Sequence, residues 1–145
     1  MADFSMTERT GLSLATVMAR KGADHAAIMA AACVPLVATG PGTWLALGDV
    51  GNRLARLASV SDQSGGYLIY RLAGPDARAL LQKGTFIDLH PGAFGPGSSA
   101  VTVIAHIGVI LWQVDAAPTY EIALFRSFAG SFRHWVEAAA MDLNG

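Results

Sequence analysis

The sequence predicts an α+β fold, an antiparallel or mixed sheet with helices packed on one face. Three observations predict it. A helix between Gly74 and Gly84 has both ends marked by local chemistry and follows a strand-like run, Tyr67-Leu-Ile-Tyr-Arg-Leu72. Late in the chain, extended runs are separated by turns short enough for an antiparallel meander. The closing segment has the apolar stripe of an amphipathic helix.

Taken in order, residues 1–10 are polar and are expected to form a flexible terminus, with 11–145 as a single domain. Leu12 to Ala19 reads as a strand. Asp24 is placed to cap an alanine-rich helix over His25 to Cys33, which Pro35 ends. Gly40-Pro-Gly42 turns the chain into a short strand, Thr43 to Leu47. Asp49 could then cap a helix with Val50, Leu54 and Leu57 on one face. Ser61 to Gly66 is turn chemistry. The next strand puts Leu68, Tyr70 and Leu72 on one face and Tyr67, Ile69 and Arg71 on the other.

In the helix that follows, Pro75 suits the first helical position. Asp76 and Lys83 stand at the dipole ends they favour, and Gly84 supplies a left-handed stop. The loop from Asp88 to Ser99 runs for about 12 residues, a length typical of functional or partner-binding loops. Extended runs cover Ala100 to His106 and Ile107 to Val114, and Asp115 to Pro118 turns the chain. Thr119 to Phe125 points Tyr120, Ile122 and Leu124 inward, against Glu121 and Ala123. A last helix from near Ser127 aligns Phe128, Phe132, Trp135, Val136 and Ala139.

Composition bounds the function. Apolar residues make up 52% of the 145 and charged residues 14%, against roughly 25% charged in an average domain. Such a chain is either alanine- and glycine-rich but ordinary, or has part of its surface covered by a partner. Its net charge of −1 and scattered basic residues give no field for nucleic acid. No apolar run reaches the roughly 18 residues that span a bilayer. The start has no basic-then-apolar signal pattern, and the one cysteine, Cys33, has no internal partner. The expectation is a cytoplasmic protein away from membranes, with Cys33 a buried, inert thiol.

No self-sufficient catalytic constellation is visible. His134 and Glu137 share a helix face, as a weak metal pair or a surface ion pair. Asp88 and His90, two apart before Pro91, suit either acid/base chemistry or a hydrogen bond that orders the loop. Gly92 to Gly97 contains glycines, but no Lys-Ser/Thr follows, and Pro96 removes an N–H that a phosphate cradle would use.

One set of residues carries a resemblance. Thr43-Trp-Leu-Ala-Leu-Gly48, Val60-Ser-Asp62, Arg71-Leu-Ala-Gly-Pro-Asp-Ala-Arg78, Lys83-Gly84, Ile87-Asp-Leu-His-Pro91, Phe94, Gly97, Thr102, His106, Arg126-Ser-Phe-Ala129 and Trp135 are similar, in order and spacing, to the gamma subunit of heterotetrameric sarcosine oxidase. That family is related to the folate-binding aminomethyltransferase (glycine cleavage T protein) fold. Thr85 stands where many relatives are expected to have cysteine, and residues before Trp44 match poorly.

The resemblance implies a non-catalytic subunit that binds no cofactor itself and stabilises flavin-bearing partners. The alpha, beta and delta subunits would hold FAD, FMN, NAD and tetrahydrofolate between them. The holoenzyme would demethylate sarcosine oxidatively to glycine, or act on a related N-methyl amino acid. Asp88, His90, Phe94, Trp112 and Arg126 are the expected interface residues, since tryptophan and arginine are enriched at hot spots. Arg126 could equally pair internally with Asp88 or cap a carbonyl. Two other readings stay open. One is a stand-alone folate or small-ligand binder, with Asp88 or Asp62 beside Tyr70 receiving a pterin ring. The other is a homo-oligomer that shares only the fold.

Overall fold

The computed structural model describes residues 2–144. Contacts sort the chain into two compact units, residues 1–10 with 68–145, and residues 11–67, where sequence reading expected one domain after a loose terminus.

The first unit is built on a five-stranded sheet. Its strands are β1 (Ser5–Arg9), β6 (Tyr67–Ala73), β7 (Ser99–Ile104), β8 (Ile107–Asp115) and β9 (Thr119–Phe125), in the order β1-β6-β9-β8-β7. The pairs β1·β6, β7·β8 and β8·β9 are antiparallel. Two helices, α2 (Ala77–Gln82) and α3 (Ala129–Asn144), belong to this unit, α3 entered through a 3-10 turn at Arg126–Phe128. Period-two alternation puts Leu68, Tyr70 and Leu72 of β6, Val109 and Leu111 of β8, and Tyr120, Ile122 and Leu124 of β9 on one face. There they share a core with Leu80 and Leu81 of α2 and with Phe132, Val136 and Ala139 of α3. Each of these large side chains contributes about 1.5–3 kcal/mol by leaving water. The helices therefore pack on one face of an antiparallel sheet, as the sequence predicts.

The second unit has a four-stranded antiparallel sheet of β2 (Leu14–Ala19), β3 (Leu36–Gly40), β4 (Thr43–Leu47) and β5 (Ala58–Asp62), ordered β3-β4-β2-β5, with the helix α1 (His25–Ala32). The Asp24 carboxylate accepts from the Ala26 N–H at 3.0 Å, the expected cap. Val17, Ile28, Ala32, Trp44, Ala46, Val50, Leu54 and Ala58 form its core. His25 meets Trp44 edge-on, with ring centroids 5.3 Å apart.

Several expectations change. Residues 5–9, read as loose, form β1 and pair with β6 from Ser5↔Ala73 to Arg9↔Ile69. That pairing satisfies an edge which no local pattern reveals. Residues 51–57 form consecutive turns instead of a helix, closed by bonds such as Arg53 N–H to the Val50 carbonyl. Gly51 and Asn52 would fall in its first turn, and both are poor helix formers. Val50 and Leu54 are nonetheless buried, so the apolar pattern was meaningful and the helix was not needed to bury it. β3 and β5 went unread because each is short and β5, Ala-Ser-Val-Ser-Asp, has the composition of a turn. Cys33, expected inside, is exposed and adopts φ 59° as the left-handed residue closing α1.

Gly84 has a different role from the one expected. The α2 helix starts at Ala77 with Asp76 as its cap residue, so Pro75 lies in the turn before it; it closes on Lys83, whose N–H donates to the Leu80 carbonyl at 3.2 Å, while the Gly84 N–H donates to the Leu81 carbonyl at 3.0 Å. A Cβ on Gly84 would lie 2.5 Å from Cζ2 of Trp135 and 3.1 Å from Cγ2 of Ile104. The residue is glycine because the Trp135 ring packs directly on its backbone.

Candidate functional site

The densest electrostatic arrangement centres on Glu121, which sequence reading placed on an outer face. The face opposite the helices is also buried, through Ile69, Ile110, Trp112 and Ala123, and Glu121 is only 2% exposed on it. A carboxylate there needs partners, and neighbouring strands of its own unit supply them. Arg9 of β1 donates from Nη1 to both carboxylate oxygens, at 3.0 Å each. Arg71 of β6 donates from Nε to Oε2 at 3.1 Å. Trp112 of β8, directly opposite Glu121 in register, donates from Nε1 to Oε1 at 3.1 Å.

This occupies the carboxylate from three sides. Such a group has little capacity left to hold a substrate. What it can do is join β1, β6, β9 and β8 across the sheet. The signal in the sequence was a lone Glu inside the apolar run Tyr120 to Leu124, where a charge at a core position must be paired.

Of the expected interface residues, the structure gathers few. Asp88 and His90 are exposed. Asp88 Oδ1 accepts from the His90 N–H at 2.9 Å, and His90 Nδ1 accepts from the Gly92 N–H at 3.1 Å, which is the loop-ordering arrangement. Phe94 is buried in the core beside Tyr120, with ring centroids 6.5 Å apart. Trp112 is buried and bonded to Glu121. Neither ring lies on an open surface: Phe94 packs in the core of the first unit, and Trp112 is 6% exposed. Arg126 is exposed at the start of the 3-10 turn. Burial pushes the Tyr120 phenol above its ordinary pKa, so it stays neutral, as suits a core residue.

The residues that would receive a pterin are engaged elsewhere. Tyr70 stacks on Phe132 and its hydroxyl donates to the Ala129 carbonyl at 3.4 Å. Asp62 lines a polar cleft of about 440 Å³ in the second unit, with Asp49, Ser13 and Ser64. Its carboxylate accepts from the Ser64 hydroxyl at 2.7 Å and the Ser64 N–H at 3.0 Å. These bonds hold its pKa below the usual value, the hydroxyl contributing most. Asp49 is bonded to the Gly51 N–H at 2.8 Å. Both carboxylates thus close their own turns. Among the described residues no three His, Cys, Asp or Glu side chains gather as a metal site, and no helix is long and apolar enough to cross a membrane.

A residue that sequence reading missed is Phe86, fully exposed beside a groove of about 460 Å³ in the first unit. Lys83, Gly84, Thr85, Val103, Ala105, His106 and Trp135 complete its lining.

The chain superposes on a chain of the heterotetrameric sarcosine oxidase from Corynebacterium sp. U-96 in complex with pyrrole 2-carboxylate, with a TM-score of 0.84 and 24% identity over 98% of this chain and 86% of that one. It also superposes on the glycine cleavage system aminomethyltransferase T from Bartonella henselae, with a TM-score of 0.66 and 12% identity over 93% of this chain but only 45% of that one. The fold therefore resembles part of the aminomethyltransferase fold. No curated protein matches the chain. The family described as sarcosine oxidase, gamma subunit, matches residues 45–142. As that match spans well over half of its length, the chain belongs to the sarcosine oxidase gamma subunit family.

Proposed function

We propose that this chain is the gamma subunit of a heterotetrameric sarcosine oxidase and carries no catalytic residue of its own. It stabilises larger subunits that bind FAD, FMN, NAD and tetrahydrofolate and that demethylate sarcosine, or a related N-methyl amino acid, to the free amino acid. Family membership over residues 45–142 carries the reading. The internal chemistry supports it: the most buried carboxylate, Glu121, is engaged by Arg9, Arg71 and Trp112. A low charge content is also what a subunit with a covered face should have. The partners are the alpha, beta and delta subunits, and the compartment is the cytoplasm, where Cys33 stays reduced.

Affinity purification of the tagged chain from its own cell, grown on sarcosine, tests this. The expected product is a yellow complex with larger flavin-bearing subunits and demethylating oxidase activity. A colourless protein emerging alone under gentle conditions would sink the proposal.

The likeness to an aminomethyltransferase favours one second reading, a stand-alone folate binder, and thermal melting separates the two. A ligand at 100 times its Kd stabilises the native state by about 2.7 kcal/mol. That raises the melting temperature by roughly 5–10 °C in a chain of this size. Tetrahydrofolate is expected to shift the isolated chain by less than about 1 °C, because Tyr70 and Asp62 are already engaged. A full shift would establish the binder.

A further inference from the structure

Resting on the subunit reading, we infer that the outer edge of β7, together with Phe86 and the groove beside it, is a docking surface. Its occupant is an extended segment of a flavin-bearing partner subunit that carries apolar residues and a carboxylate.

The first observation is the state of the sheet edges. An edge strand offers unpaired backbone groups to any passing strand, and proteins blunt such edges with charges, proline or bulges. Among the described residues the edge strands are β1, β7, β3 and β5. β1 carries Glu8 and Arg9, and β5 ends in Asp62. β3 has a register shift between Ala38 and Gly40. β7, Ser-Ala-Val-Thr-Val-Ile, has no charge and no proline, and it pairs with β8 without a break in register. Val101 and Val103 stand exposed on it. A β-branched, uncharged, regular edge is one built to be covered.

The second observation is Phe86. Its exposure is not looseness, because the chain is held on both sides of it. The Gln82 amide donates to the Thr85 carbonyl at 3.4 Å and the Ile87 carbonyl at 2.7 Å, while its oxygen accepts from the Leu89 N–H at 2.9 Å. Upstream, the Gly84 carbonyl accepts from the Ala105 N–H at 3.0 Å, next to the end of β7. Trp135 packs on Gly84 as already described. The segment thus presents an aromatic ring to solvent at low conformational entropy, the property of an interface anchor.

Charge then selects the occupant. Lys83 and His106 are exposed on the groove lining, and no carboxylate lines it. A segment that adds to β7 by strand pairing, receives Phe86 in an apolar pocket and sets a carboxylate by Lys83 and His106 satisfies all of these features. A second copy of this chain is the competing occupant.

The test is co-expression of the tagged full chain with the flavin-bearing subunits of its own cell, followed by capture and a count of flavin per tag. Phe86→Glu, Val103→Lys and Lys83→Glu are each expected to lower recovered flavin at least tenfold. Their melting temperatures should stay within about 2 °C of the parent chain, since all three side chains are exposed. Met29→Lys and Met141→Lys, exposed elsewhere, should retain full recovery. Parental recovery in all three groove variants would overturn the inference and leave the subunit reading intact. If the parent chain itself captured no flavin, the subunit reading would fall and this surface with it. A parent dimer that becomes monomeric in Val103→Lys, with flavin recovery unchanged, would assign the edge to a second copy and also overturn the inference.

Discussion

Replacing Glu121 by alanine is expected to lower the melting temperature by about 10 °C, because it leaves its partners without an acceptor. Breaking a buried ion pair by removing one side costs about 3–5 kcal/mol, and the lower end applies here. Arg9 and Arg71 are 34% and 42% exposed, so once released their guanidinium groups can turn to water. Trp112 is not so free: its buried indole N–H would lose its acceptor, at about 1–3 kcal/mol. A total near 3 kcal/mol corresponds to roughly 10 °C in a chain of this length. Arg9→Ala removes only a half-exposed partner and should cost about 1 kcal/mol or less. Calorimetry of the three proteins checks both values. A Glu121→Ala protein melting with the parent would show that the carboxylate holds nothing together.

Gly74→Ala is the second large effect, and it acts on the same strand from the other end. Gly74 has φ +130°, a conformation side chains rarely adopt, and its Cβ would lie 2.8 Å from the Asp3 carbonyl oxygen and 2.8 Å from the Phe4 Cα. Both neighbours are backbone, so neither can rotate aside. Backbone strain of about 1–3 kcal/mol adds to overpacking of similar size, giving roughly 2–6 kcal/mol. The segment that must yield leads into β1 and is tied down at Asp3, whose N–H donates to Asp76 at 2.6 Å and whose carbonyl accepts from the Asp76 N–H at 3.0 Å. Displacing it withdraws Arg9 from Glu121. The double variant Gly74→Ala with Glu121→Ala should therefore lose less than the sum of the single losses, a coupling visible in a double-mutant cycle. Hydrogen exchange should show the amides of residues 5–9 losing protection first. Strict additivity would separate the two sites.

What could be read from the sequence was what is written locally. The Asp24 cap, the alternation in β6 and β9 and the stripe of α3 each depend on residues within a turn or two of one another. Glu121 could not be read in that way. Its donors lie 112, 50 and 9 positions away, and only the strand order brings them to one row. β1 was invisible for the same reason, since Ser5 finds Ala73 across the sheet. Between two phenylalanines near the long loop, sequence reading chose Phe94, and the fold buried it and left Phe86 outside. Nothing in residue type distinguishes the two. The bond pattern of Gln82 does, and it exists only after α2 has formed.

The position of Cys33 bears on how the oligomeric state of the chain is to be read. It is the single cysteine of the sequence, and it stands exposed at the end of α1. One accessible thiol per molecule allows one covalent bridge between two molecules and no more. In air, the purified chain is expected to accumulate a disulfide-linked pair that owes nothing to β7. Only a dimer that survives a reductant, or forms in a Cys33→Ser chain, reports on the sheet edge.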